Sequence, residues 1–442
     1  MIKKIVCTLL ILTFTLFFRV PLKADSGVEG LITEFKTGTK CSNVSVVVYD
    51  HGNLTYYGDR EGLYQIGSMT KAFTGLAIQK LINDGLISED DKVSSLVPGF
   101  KAYYRSSEVE ITVDDLLMQR SGYTNNENDY PSAAEGMTLG EWAKTVSGKE
   151  LSSLPGTEYA YSNVNYNLLG MIIENITGSA YREYMVHAVL GPLNLVSTSA
   201  GMPEDTERII EGTRLGFRNV FEYEVPVREG SIPAGYFYSD TEDIGKWMKA
   251  WIEGEDLDME YVKGKLVNEG DYYAGWECFG DGIIGHSGGT PNYSSRIVFS
   301  ERTGTGVCVL TNLNVASTTD SLCNSIFASV NGKESGGLIC DVWTVFDIIF
   351  TLISVAGAAL FVMALVIRKK GLLIGTGSVL ALTVILILIL FPVIFGAGLK
   401  AIALIWAPWS FLAGLSILMI DVLTIVIRLI WVNVNEGRAK TG

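Results

Sequence analysis

From Val342 to Ile427 only six residues carry a charge, Asp347, Arg368, Lys369, Lys370, Lys400 and Asp421, and the stretches between them are almost wholly apolar. A helix needs about 20 apolar residues to cross the hydrocarbon of a bilayer. Three segments meet this requirement, 343–367, 372–395 and 409–427, so the chain is not a purely soluble protein and the lipid bilayer is one of its partners. Arg368, Lys369 and Lys370 fill the first short loop, and Arg428, Arg438 and Lys440 lie after the last segment, while the second loop holds only Lys400. That bias places the first loop and the C-terminus in the cytoplasm. Asp421 falls well inside the third span, where a carboxylate is costly and often functional. Trp406 and Trp409 suit interfacial anchors near its outer end, and Pro408 marks where its helix begins.

The opposite end agrees. Met1 to Asp25 has Lys3 and Lys4, an apolar run from Ile5 to Phe18 and a small residue at Ala24, the layout of a secretory signal over residues 1–24. An exported domain over 25–335, followed by a membrane domain over 336–442 with three crossings, must end inside. Two independent signals therefore give one topology, a multi-pass membrane protein with an extracytoplasmic domain.

The formal charge of −14 conceals unlike parts: residues 1–24 and 342–442 each carry +4, leaving 45 acids against 23 bases, or −22, between them. A surface so acidic repels phosphate backbones and excludes nucleic acid as a partner. Removing Cys7 with the signal leaves Cys41, Cys278, Cys308, Cys323 and Cys340, an odd number without Cys-x-x-Cys spacing, and no metal site is readable from them. Cys308, in an apolar strand pattern, reads as a small core residue.

Within the exported domain, Asn43 to Tyr49 and Leu54 to Tyr57 alternate as strands about the turn residues Asp50-His51-Gly52-Asn53. Phe73, Leu76, Ala77, Ile78 and Leu81 recur at helical spacing between Thr70 and Gly85, which puts Ser68 at a helix entrance. Helical patterns continue through Val113 to Gln119, Tyr166 to Asn175 and Tyr236 to Ile252, the last with Asp240 or Thr241 placed to cap it. Gly282 to Ile284, Ser295 to Ser300 and Thr305 to Thr311 read as strands, the last two joined by Glu301-Arg302-Thr303-Gly304. Strands first, helices between and strands last predict an α+β domain whose two ends pair in one antiparallel sheet.

Ser68-Met69-Thr70-Lys71 is the only Ser-x-x-Lys in the chain. On a helix, residues three apart share a face, so Lys71 can reach the Ser68 hydroxyl, and the helix N-terminus favours a developing oxyanion. Alone, the tetrapeptide also fits a solvated serine and an ordinary surface lysine. Gly285-His286-Ser287-Gly288-Gly289 offers a rival nucleophile in its Gly-x-Ser-x-Gly pattern, which requires a histidine downstream of the serine. The three histidines are His51, His187 and His286, none of which follows Ser287, so that reading fails on chain order. Tyr161-Ser162-Asn163 is weak alone and gains force from its place between the other two motifs.

The order Ser68-x-x-Lys71, Tyr161-x-Asn163, His286-Ser287-Gly288 resembles the penicillin-recognising serine hydrolases: class C β-lactamases, low-molecular-weight penicillin-binding proteins, D-amino-acid peptidases and related esterases. The blocks around Tyr64 to Phe73, Ile111 to Gly122, Ile232-Pro233-Ala234-Gly235 and His286 to Pro291 resemble that family too, so the likeness spans about residues 30–330. It implies the β-lactamase/transpeptidase-like sandwich with a helical subdomain, an amide or peptide substrate and no cofactor. It also implies roles. Ser68 becomes the nucleophile, and Lys71 with Tyr161 accepts and relays its proton. Asn163 holds the substrate amide, and the N–H groups of Ser68 and Gly289 form the oxyanion hole. His286, Ser287 and Gly288 line the substrate side, His286 not as the base. Lys71 and Tyr161 both titrate near ~10 when unperturbed, so this chemistry requires at least one to be shifted. Ser287 departs from the usual threonine, Gln119-Arg120 stands where a His-Thr pair is common, and His286 in place of lysine removes a fixed cation, which argues against efficient penicillin turnover. With its three spans the chain resembles the prodrug-activating D-peptidases of non-ribosomal peptide pathways. A D,D-carboxypeptidase or β-lactamase, and a non-enzymatic membrane sensor or transport accessory, are the alternatives. Oligomeric state is left open.

Overall fold

The computed structural model describes residues 19–20, 27–254, 256–269 and 271–441, with side chains over 27–254, 256–266 and 271–435, so most of the secretory stretch at 1–24 lies outside the described residues. Contacts divide the chain into two compact units, one built from Arg19–Thr213 and Glu222–Ile339, the other including Arg214–Phe221 and Cys340–Gly442.

The first unit is organised on a seven-stranded antiparallel sheet. Its strands are β1 (Val44–Asp50), β2 (Asn53–Tyr57), β3 (Tyr272–Tyr273), β4 (Trp276–Cys278), β5 (Ile284–Gly289), β6 (Ser294–Ser300) and β7 (Thr305–Thr311), in the order β3-β4-β5-β6-β7-β1-β2. The two ends of the domain meet where β7 pairs with β1, Cys308 opposite Val47 and Thr311 opposite Val44. Cys308 is fully buried in that ladder. Helices α1 (Val28–Thr39), α2 (Thr70–Asn83), α3 (Asn163–Thr177), α4 (Thr241–Glu253) and α5 (Ala316–Val330) complete the frame. α5 packs on β6 and β7 and against α1, and α4 packs on β1 and β7. The α+β reading thus holds, with the helical region inserted between β2 and β3.

α2 is apolar around most of its circumference, which marks a core helix rather than a surface one. Phe73 stacks on Trp247 of α4 with ring centroids 4.0 Å apart. Gly75 allows the chain at Ala274 to pass so close that a Cβ would meet the Ala274 carbonyl at 2.1 Å. Two short helices of the insertion begin with reciprocal caps, Thr112 with Asp115 and Thr138 with Glu141, each satisfying two orphan N–H groups.

Two elements differ from the sequence pattern. The helix expected from Tyr236 begins only at Thr241, where the Asp240 carboxylate accepts from Asp243 N–H at 2.8 Å. Phe237–Ser239 is instead a short strand paired with Tyr64–Gln65, so tertiary pairing overrides helical periodicity. The strand expected at Gly282 to Ile284 is shifted to Ile284–Gly289, because its glycines give no apolar alternation while the β6 backbone supplies the ladder.

In the second unit, α6 (Val342–Val366), α7 (Lys370–Phe395) and α8 (Trp409–Thr441) are long, and their most apolar windows have mean hydropathies of 2.6, 3.0 and 2.3. They overlap the three expected segments, with α8 continuing past 427 to Thr441. α6 and α8 pack closely where Gly357 faces Ile417 and Asp421, and Gly414 faces Phe350. Segment Arg214–Phe221 belongs to this unit. The Arg214 guanidinium donates to the carbonyls of Ala403, Leu404 and Ala407, and buried Asp347 accepts from Ser410 Oγ at 2.7 Å and Arg218 N–H at 2.8 Å. Asp421 is buried, and neither carboxylate oxygen has a hydrogen-bond partner among the described residues.

Candidate active site

The site is assembled at the start of α2. Gly67 takes φ +53° in a 3₁₀ turn, Gly67–Met69, that feeds the helix. A Cβ there would stand 2.6 Å from the backbone nitrogen of Gly289, so only glycine lets β5 lie against the turn. Ser68 is half-buried at the helix entrance, as its place before the helical periodicity implied.

Lys71, one turn on, is fully buried. Its Nζ lies 3.0 Å from Ser68 Oγ, 2.7 Å from Asn163 Oδ1 and 2.6 Å from the Ala234 carbonyl. The last contact depends on the turn Ile232–Gly235, which is tied to α2 by Thr74 Oγ1 donating to the Pro233 carbonyl at 2.7 Å. Removal from water disfavours the ammonium and pulls the Lys71 pKa well below its usual value.

Tyr161 borders the Ser68 side chain, and its ring centroid lies 4.9 Å from Lys71 Nζ. Burial pushes its phenol far above the ordinary tyrosine range, despite the Ser68 contact. The two groups are therefore driven apart: Lys71 toward the neutral amine, Tyr161 toward the neutral phenol.

Asn163 is the first residue of α3, whose N-cap is Ser162, with Ser162 Oγ accepting from Val164 N–H at 3.2 Å. The loop before it is held by Gln119, a fully buried residue at φ +57°. Gln119 Oε1 accepts from Ser162 N–H at 2.9 Å and from the Asn165 amide, while the Gln119 carbonyl accepts from Ala160 N–H at 2.8 Å. Gln119 thus aims Tyr161 and Asn163. The sequence marked it only as a departure from a common pair.

His286 lies on β5 beside Tyr161 and Tyr272, with ring centroids 6.1 and 6.0 Å away. Burial and the nearby Lys71 hold its pKa down at about 3, so the ring is neutral. Nδ1 sits 2.6 Å from the Ser287 carbonyl, an acceptor, so Nδ1 carries the proton and Nε2 is an unprotonated acceptor with no hydrogen-bond partner.

Ser287 is held by two other residues. Its Oγ accepts from Arg296 Nη1 at 2.8 Å and donates to Asp320 Oδ1 at 2.9 Å. Gly288 is pressed on Ile66, whose carbonyl oxygen a Cβ would meet at 2.0 Å, whereas Gly289 borders open space. The structure thus links Ser68, Lys71 and Asn163 by hydrogen bonds, with the Tyr161 ring against Lys71, and sets His286, Gly288 and Gly289 along the edge of this cluster. Ser287 is turned to Arg296 and Asp320, two residues absent from the sequence reading. A lone arginine in the otherwise apolar and hydroxylic β6 was the available signal. Among the described residues no group of three or more His, Cys, Asp or Glu side chains converges to hold a metal ion.

Comparison with known proteins follows the geometry. The Beta-lactamase family model matches residues 28–324. Protein flp of Staphylococcus aureus (strain COL) is 33% identical over 268 residues, covering 57% of this chain and 53% of that protein. The chain therefore spans about half the length of the curated relatives it matches. Among solved structures, the octameric penicillin-binding protein homologue from Pyrococcus abyssi superposes with a TM-score of 0.62 at 25% identity, covering 70% of this chain and 78% of that one. A D-stereospecific amidohydrolase from Streptomyces sp. gives a TM-score of 0.55 at 21% identity, covering 69% and 99%, a likeness of fold. With the family model matched across the whole sheet frame and the Ser68 cluster inside it, this chain belongs to the Beta-lactamase family.

Proposed function

We propose that the chain is a membrane-anchored serine hydrolase that works through an acyl-enzyme on Ser68 and cleaves an amide next to a D-amino acid, in the manner of a prodrug-activating peptidase or D-peptidase. One observation carries this reading: a buried lysine nitrogen 3.0 Å from a half-exposed serine oxygen at a helix entrance. A neutral Lys71 has two N–H bonds and one lone pair. The two donors are met by Asn163 Oδ1 and the Ala234 carbonyl, which leaves the lone pair to face Ser68 Oγ. Ser68 then attacks the substrate carbonyl while its proton passes to Lys71. The N–H groups of Ser68 and Gly289 stabilise the oxyanion, an effect worth about 3–4 kcal/mol per donor in comparable sites. As the C–N bond breaks, the departing amine takes the proton, relayed from Lys71 through the Tyr161 hydroxyl. Water enters by the reverse relay, releases the acyl group as an acid and restores Ser68 and Lys71.

Ser287 and Gly288 line the substrate side in this reading, and neutral His286 acts as an acceptor beside Tyr161. The basic first loop and C-terminal end support a cytoplasmic C-terminus, with the Ser68 domain outside a bacterial cell membrane after export directed by residues 1–24.

The test is the intact mass of the detergent-purified protein after brief exposure to benzylpenicillin and, separately, to an N-acyl-D-asparaginyl amide. Product release from the D-asparaginyl amide without a lasting penicillin adduct supports the peptidase reading. A persistent penicillin adduct on Ser68 with no amide turnover would contradict it.

A further inference from the structure

The hydroxyl of Ser287 has one donor and two lone pairs. Its donor is committed to Asp320 Oδ1 and one lone pair to Arg296 Nη1, so toward any substrate it can only accept. Glu277 adds to that polarity. It lies on β4 opposite Gly285, and Ser287 lies opposite Arg296, so strand alternation puts Glu277, Ser287 and Arg296 on one face of the sheet. After burial, the Glu277 charge adds to the upward push on the Tyr159 and Tyr161 phenols, so its field reaches the phenol that borders Ser68. His286 Nε2, from a side chain 2% exposed, is another acceptor without a partner beside Tyr161. Glu277 and Asp320 together outweigh Arg296 by one negative charge. β4 leaves the edge of β5 after Gly285, so a substrate lying along the free edge at His286–Gly289 has His286 and Tyr161 toward one face of the sheet and Ser287 with its carboxylates toward the other.

We propose that this end of the cleft selects substrates whose departing amine carries a second, cationic hydrogen-bond donor, a primary ammonium, and rejects those whose departing part carries a carboxylate, with Ser287, Asp320 and Glu277 setting the preference. The inference rests on the Ser68 reading, because the departing side is identified by Tyr161 as the proton donor. Glu277 and Asp320 act here as specificity residues. Burial, the larger effect at each, raises both carboxyls, and Arg296 opposes it, so the pair remains responsive to an incoming cation.

Three probes with one acyl group separate the possibilities: the N-acetyl-D-alanyl amides of ethylenediamine (cationic), ethanolamine (neutral) and glycine (anionic). The expected order of kcat/KM is cationic, neutral, anionic, with at least a tenfold span. Asp320→Ala frees the Ser287 proton to donate, and Glu277→Gln removes the charge. In each variant the cationic-to-anionic ratio should fall at least fivefold. Being a ratio, it does not depend on the folded fraction. Protection of Ser68 from a fluorophosphonate label by the same amides reads the order on the wild type alone. An anionic amide equal to or better than the cationic one, or a ratio unmoved in both variants, overturns the inference while labelling of Ser68 persists. Failure of Ser68 to label or to turn over any probe contradicts the Ser68 reading itself, and the inference with it.

Discussion

Lys71 Nζ and Ser68 Oγ are 3.0 Å apart, and the lysine is fully buried while the serine is half-buried. Burial thus does what a separate general base does elsewhere, since an amine that cannot hold its proton will take one from a neighbouring alcohol. Lys71→Arg has similar reach but puts a cation there that cannot be deprotonated. We expect kcat/KM to fall by about 10²–10⁴, the range of a lost general base, with the melting temperature measured alongside to show that the fold persists. Wild-type turnover in Lys71→Arg would remove the base assignment.

The pH dependence has a definite sign. Lys71 has a folded pKa well below its unfolded value of 10.5, so between those two values the unfolded chain binds the extra proton. Stability attributable to Lys71 therefore rises with pH across that window. Chemical denaturation of the wild type and Lys71→Met from pH 7 to 10 should show the wild type gaining relative to the variant, whatever their offset at pH 7. Activity should likewise fall on the acid side, as Lys71 takes up its proton.

His286 is not the group behind that acid limb. Its pKa is lowered from 6.5 to about 3, so at neutral pH it is uncharged in the folded chain and mostly uncharged in the unfolded one. His286→Asn should leave the midpoint of the acid limb where it is. Between pH 6.5 and about 3 the unfolded imidazole binds a proton that the folded one refuses, so the wild type should lose stability relative to His286→Asn as pH falls through that range. A shifted limb in the variant would assign the titration to the imidazole.

Gln119→Ala removes the acceptor of Ser162 N–H and the Asn165 amide from a fully buried position, and asks alanine to hold a left-handed backbone. Each orphaned donor costs about 1–3 kcal/mol. We expect a destabilisation of about 3 kcal/mol by denaturant titration. A lower kcat with Ser68 still labelled by a fluorophosphonate should accompany it, because Tyr161 and Asn163 lose their aim.

What the sequence disclosed and what it concealed follow from range. The end-to-end pairing of β7 with β1 was legible because Val44 to Tyr57 and Ser295 to Thr311 are the longest strand-like runs in the exported domain and stand at its two ends. The three long apolar helices were legible from composition alone. Ser68, Lys71, Tyr161 and Asn163 stood out as spaced motifs, but only folding could decide which of Lys71 and Tyr161 is shifted into use, since the burial that lowers one raises the other. β5 was hidden by its glycines, and the Arg296, Asp320 and Glu277 group by distance: β4, β6 and α5 supply one residue each, and no local pattern links them.

The central claim is a covalent acyl group on Ser68. Its most direct test is rapid acid quenching of the detergent-purified protein mixed with a D-alanyl thioester, followed by intact mass and peptide mapping, on the wild type and Ser68→Ala in parallel. The account predicts a gain of one acyl mass in the wild type, confined to the peptide containing Ser68, and none in Ser68→Ala with an unchanged melting temperature. An acyl mass retained in Ser68→Ala, or mapped to Ser287, would contradict it.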